Sequence, residues 1–148
     1  MGWVLLLLGA ALAFGDKEDW KWRSDLEEQA KQILRSPMSM EEQAELEQKL
    51  SRSGSEDPQH NGPLGYFALT LAEGILGQPD PAERRVQLAS IATVAAERAA
   101  VSLLQEIRVA RAAKAVAAAK AAQNPKRKTK LAMRSAKFLR KAMKPYGD

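Results

Sequence analysis

The chain has 148 residues, of which 45% are apolar and only 5% aromatic, enough for one domain with little bulky core. It contains no cysteine, which excludes disulfides and thiolate metal sites. The net charge of +5 is divided unequally, with 10 Lys/Arg against 16 Asp/Glu in residues 1–100 and 13 against 2 in residues 101–148. Segregation on this scale points to a polyanion-seeking C-terminal segment, or to an electrostatic clasp between acidic and basic halves.

The first stretch, from Met1 to Gly15, carries no charged side chain and includes the run Leu5, Leu6, Leu7 and Leu8. Ala13-Phe14-Gly15 has the small-x-small form of a signal-peptidase site, although no Lys or Arg precedes the apolar run. As a helix, fifteen residues at about 1.5 Å each reach about 22 Å, short of the roughly 30 Å hydrocarbon core. Trp3 at one end and Trp20 and Trp22 at the other are placed as interfacial anchors, and the basic residues all follow the run. A retained anchor with the body inside is the leading expectation. The alternatives are a signal cleaved at Gly15 and a helix buried in an assembly. Leu6 stands where the myristoylation pattern needs Ser or Thr.

Helices follow. Ser24 with Glu27 reads as a capping box, and Leu26, Ala30, Ile33 and Leu34 then share one helical face until Ser36-Pro37. Ser39 with Glu42 opens a second, acidic helix to about Leu50, whose apolar residues Met40, Ala44, Leu46 and Leu50 are too few to fold alone. Ser51 to Pro63 is polar, contains Gly and Pro, and has no periodicity. Leu64, Phe67, Ala68, Leu71, Ala72 and Ile75 then recur as a full helical stripe closed by Gly77, with Glu73 facing away.

Asp80-Pro81-Ala82-Glu83 has the form of a helix start, with Asp80 capping and Glu83 completing a box. Neither Gly nor Pro occurs again before Pro125, so one long Ala-rich helix is expected from Pro81 to about Gln123. Ala92, Ala96, Ala99, Leu103 and Ile107 trace a seam along it suited to helix association without a strict leucine heptad. After Asn124-Pro125, Arg127, Lys130, Arg134, Lys137, Lys141 and Lys144 follow spacings of three and four, a cationic stripe along one face. Leu131, Phe138, Leu139, Ala142 and Met143 lie toward the other side, and Pro145 ends the helix. The expected fold is therefore all-α and extended rather than compact. It divides into an apolar segment (1–15), an acidic helical segment (16–51), a polar linker (52–63), a helical association region (64–123) and a basic amphipathic tail (124–148).

Catalytic chemistry has little to work with. The single histidine, His60, lies in the polar linker beside Ser53, Ser55, Glu56 and Asp57, without a scaffold to orient a base toward a nucleophile. Phosphate-cradling glycine loops and nucleophile-elbow patterns are missing, and no cofactor or metal is expected. The cationic stripe has a physical use: it neutralises phosphates, whether of nucleic acid through counterion release or of an anionic bilayer with Phe138, Leu139 and Met143 inserted. The expectation is a non-enzymatic, membrane-associated structural protein, of the kind that joins a membrane or virion shell to nucleic acid. One alternative is a secreted precursor that releases a cationic membrane-active peptide near Lys126-Arg127-Lys128. The other is a helical subunit of a larger homo- or hetero-oligomer. If residues 1–15 anchor the chain, deleting them releases the protein from carbonate-washed membranes; identical partitioning of the full and shortened chains would contradict the anchor.

Overall fold

The computed structural model describes residues 23–53 and 61–147, and every regular element among them is helical. The helices are α1 (23–35), α2 (Met40–Arg52), α3 (Gly62–Gly77), α4 (Ala82–Ala99), α5 (Leu103–Ala121) and α6 (Pro125–Met143), followed by a 3-10 turn at Lys144–Tyr146. The apolar stretch 1–15 with Trp3, Leu5, Leu6, Leu7, Leu8, Trp20 and Trp22, and the linker histidine, lie outside the described residues. Among the described residues, no helix is long and apolar enough to cross a membrane.

Helix α4 sits at the centre and packs against α2, α3, α5 and α6. Its sequence explains how one helix serves so many neighbours. Ala89, Ala92, Ala95, Ala96 and Ala99 have no exposed surface, and such small side chains let adjoining helix backbones come close. Bulk enters from α3, where Phe67, Leu71 and Ile75 are fully buried, from Leu88 and Ile91 of α4 itself, and from Leu139 and Met143 of α6. These residues belong to one continuous core, to which α1 adds Ala30 and Leu34 and α2 adds Leu50. The described helices are therefore gathered around a shared interior rather than laid end to end.

The expected single helix from Pro81 to Gln123 is two helices. Ala100, Val101 and Ser102 break it without Gly or Pro. Ser102 is the N-cap of α5: its hydroxyl accepts from the Gln105 backbone N–H, and the Gln105 side chain accepts from the Ser102 N–H. The Tyr146 hydroxyl donates to the Ala99 carbonyl at 2.5 Å, satisfying a group that a continuing helix would have used. Folding α5 back alongside α6 removes more apolar surface from water than a straight rod could, so tertiary packing overrides local propensity.

Caps at the other ends are met by long side chains from neighbouring helices. Arg85 donates to the carbonyls of Ile75 (2.9 Å), Gln78 (2.5 Å) and Asp80 (3.0 Å), closing the end of α3. Its neighbour Arg84 donates to Ile33 and Ser36 at the end of α1. Burial lowers the Arg84 pKa, and nearby Asp80 works against that shift. Arg98 donates to the Ser53 carbonyl just beyond α2. Cations placed at these negative helix ends are favoured electrostatically as well as by hydrogen bonding.

The Ser39–Glu42 capping box forms as expected. The other two N-terminal readings are corrected. Arg23 is already helical, so Ser24 lies inside α1 rather than capping it. Helix α4 starts after Pro81 with no side-chain cap, Asp80 being left behind as part of the turn. Of the residues on the association seam, Ala92, Ala96 and Ala99 are buried between helices inside the molecule, whereas Leu103 and Ile107, beyond the break, are exposed.

Two outcomes follow for stability. Leu139→Ala empties a fully buried site and is expected to cost about 2–5 kcal/mol in denaturant unfolding. Tyr146→Phe deletes the bond to Ala99 and should cost about 1 kcal/mol near neutral pH. Burial raises the Tyr146 pKa, so the fold prefers the neutral phenol; the stability from this preference is complete below about pH 10 and is lost as pH rises toward the folded pKa. The difference between parent and Tyr146→Phe in unfolding midpoint should therefore shrink in alkaline buffer. A constant difference would rule out a neutral hydroxyl at the α4 end.

Candidate polyanion interface

Helix α6 is built as two opposed faces. Leu131, Ala132, Ser135, Ala136, Leu139, Ala142 and Met143 are buried, while α3, α4 and α5 all pack on this side. Asn124 caps its start by accepting from the N–H groups of Lys126 (2.8 Å) and Arg127 (3.4 Å), and Pro125 occupies the first turn. With the apolar side held by the core, the opposite side is fixed toward solvent. From Lys126 to Lys144 every exposed residue is Lys or Arg: Lys126, Arg127, Lys130, Arg134, Lys137, Arg140, Lys141 and Lys144.

All six cations expected on the stripe are thus exposed and gathered on one face. Among the described residues, no carboxylate pairs with any of them, and the salt bridges present are Lys31–Glu27 and Lys128–Glu83. Lys128 has turned off the stripe; its ammonium donates to the Ala119 carbonyl at 3.1 Å at the end of α5 and lies 3.6 Å from Glu83. Glu73 of α3 borders the same side of the molecule, lining a groove with Arg140, Lys141 and Lys144.

The face is wider than the stripe. Arg140, which falls off the simple three-and-four spacing, is exposed beside it, as is Lys126. Helix α5 runs back along α6, with Arg108 donating to the Lys141 carbonyl at 3.4 Å and Gln105 donating to Ala142 at 3.1 Å. This pairing brings Arg108 of α5 to the flank of the α6 face, and Arg111 and Lys114 are exposed further along α5. From Ile107 to Gly147 the chain holds 13 basic residues and no acid, a signal present in the sequence that spacing on α6 alone does not capture. Such an accumulation raises the potential over the whole surface and draws in anions from solution.

The apolar partners expected to enter a bilayer are placed otherwise. Leu139 and Met143 have no exposed surface, and Phe138 is half-buried against the core. From Lys126 onward the exposed residues of helix α6 are therefore all cations, with Met133 and Phe138 half-buried beside them. Leu103 and Ile107, expected in an association seam, point out from α5 at 73% and 41% exposure. Among the described residues, no group of three or more His, Asp or Glu side chains is gathered as a metal site.

The chain matches no protein-family model, no curated protein and no solved structure.

Since the six stripe cations are exposed, without a carboxylate partner among the described residues, and crowded by one another, their charge is expected to strain the fold slightly rather than to support it. Replacing Arg127, Lys130, Arg134, Lys137, Lys141 and Lys144 with glutamine should leave the thermal midpoint unchanged or raised in low salt, measured by circular dichroism. A fall in the midpoint would show that these side chains help hold the helices together.

Proposed function

We propose that the protein is a non-enzymatic, membrane-associated structural component whose α6 face holds nucleic acid by its phosphate backbone. The observation that carries this reading is the unbroken row of exposed Lys and Arg from Lys126 to Lys144 on a helix whose other side is locked into the core. At about 1.5 Å per residue the row extends about 27 Å, comparable with one turn of duplex DNA. With Leu139 and Met143 buried and Phe138 half-buried, this helix has little apolar surface to gain from sinking into lipid, whereas phosphates reward charge alone through release of counterions. Membrane association in this reading comes from residues 1–15, and the protein would bring nucleic acid to a membrane or shell.

Binding of this kind is insensitive to base sequence, because Lys and Arg on phosphates position a duplex without reading base edges. Six contacts predict a log–log slope of affinity against salt near −5 for duplex DNA. The six-fold glutamine variant should lose most of that slope and bind all sequences equally weakly. If it binds DNA as well as the parent does at every salt concentration, the α6 face is not the nucleic-acid interface.

A further inference from the structure

The described residues leave few large apolar side chains in water, and four of the five lie together: Val101 (45% exposed), Leu103 (73%), Leu104 (54%) and Ile107 (41%). They occupy the corner where α4 gives way to α5. Isolated exposed leucines are ordinary, but a cluster within seven residues is not, and clusters of this kind mark surfaces that meet something apolar.

The corner is rigid. Gln105, itself buried, accepts from the N–H groups of Val101 (2.8 Å) and Ser102 (3.2 Å) through Oε1 and donates to the Ala142 carbonyl (3.1 Å) through Nε2. One side chain therefore closes the turn, starts α5 and ties both to the end of α6. The leucines on either side are aimed outward before any partner arrives, so little ordering cost remains to be met on binding.

Cations flank the corner on the α6 side. Arg108 reaches the Lys141 carbonyl, Arg111 stands exposed one turn further along α5, and the Lys141 side chain is exposed beside them. The acids nearest the corner, Glu97 and Glu106, lie together on the opposite flank, toward α4. We propose that this corner is a shallow insertion wedge for an anionic lipid bilayer, with Val101, Leu103, Leu104 and Ile107 entering the acyl boundary and Arg108, Arg111 and Lys141 on the headgroups.

Charge complementarity selects this occupant over a second copy of the chain or a nucleic acid. A symmetric contact across the outer side of α5 would set Arg111 and Lys114 near their own copies, and like charges in apposition are costly. A phosphate backbone would meet the cations but give the exposed leucines nothing. An anionic bilayer satisfies both at once. The wedge shares Lys141 with the α6 row and takes Arg108 and Arg111 from α5, and it stands on its own observation, the exposed leucines. It would seat the α4–α5 end of the body on the membrane and leave the row from Lys126 to Lys137 facing away from the contact.

The chain lacks cysteine, so Leu104→Cys in the full-length protein accepts a single environment-sensitive nitrobenzoxadiazole label. Ala117→Cys, exposed on the same helix about 20 Å away, carries the control label. On phosphatidylserine–phosphatidylcholine vesicles the label at 104 should shift to the blue and be quenched by nitroxide lipids, while the label at 117 stays in water. Arg108→Gln and Arg111→Gln should each weaken this insertion roughly fivefold, and phosphatidylcholine alone should support it poorly. Reading the signal at the corner separates it from any attachment through residues 1–15. A label at 104 that remains in water on vesicle-bound protein overturns the proposal, as does equal insertion into neutral vesicles. A blue shift that grows with protein concentration without vesicles assigns the corner to self-association, and one produced by duplex DNA alone assigns it to nucleic acid.

Discussion

The burial of Leu139 and Met143 is the constraint on which the remaining arrangement depends. Neither has any exposed surface, and with Ala136 and Ala142 they seat α6 in the angle between α3, α4 and α5. A helix rotates about 100° per residue, so settling one side settles the other. Lys130, Lys137 and Lys141 point outward because Leu139 and Met143 point inward. The same contact draws α5 back over α6, splits the Ala-rich run at Ala100–Ser102 and leaves Leu103 and Leu104 at the corner. A feature of charge on the surface is thus a consequence of apolar packing beneath it.

The cations of this protein have two different occupations. Arg84, Arg85 and Arg98 end on backbone carbonyls at the close of other helices, where they satisfy acceptors that the helical ladder leaves open. Lys128 does the same for α5 at Ala119. Among the described residues, the remaining basic residues of α6 have no such duty and no acidic partner, so they repel one another across an exposed face. Tyr146 belongs with the first group, since its hydroxyl closes α4 at Ala99. Room for its ring comes from Gly65: a Cβ there would lie 2.4 Å from the Tyr146 ring.

Periodicity made most of the interior legible. The stripe Leu64, Phe67, Ala68, Leu71, Ala72 and Ile75 is buried throughout, and the exposure of Glu73 follows from the same spacing. The cationic stripe was equally readable, because both of its faces repeat at the helical period. Local signals were less decisive where side chains had competing partners. Ser102 and Gln105 have the spacing of a capping box, yet without Gly or Pro nearby the alanines on either side favour a continuous helix. Only the pull of α6 on α5 resolves the conflict. Asp80 has the right chemistry for a cap and is bypassed, while Arg85 takes up its backbone carbonyl. The extra cations of α5 were hidden for another reason, since their place beside α6 depends on how two helices meet. The same holds for Ala92, Ala96 and Ala99, whose small surfaces suit a partner helix equally well inside one chain or between two.

Helix α6 is a built part of the core rather than a basic tail that orders only on contact with a partner. Native-state hydrogen exchange of the protein without nucleic acid or lipid tests this directly. Amides on the inner side of α6, at Leu139, Ala142 and Met143, should exchange only through the same opening as those of α4 at Ile91, Ala92 and Ala96, with equal free energies and equal sensitivity to denaturant. Exchange of the α6 amides at rates near those of an unfolded chain, while α4 stays protected, would contradict the account and return the cations to a flexible segment.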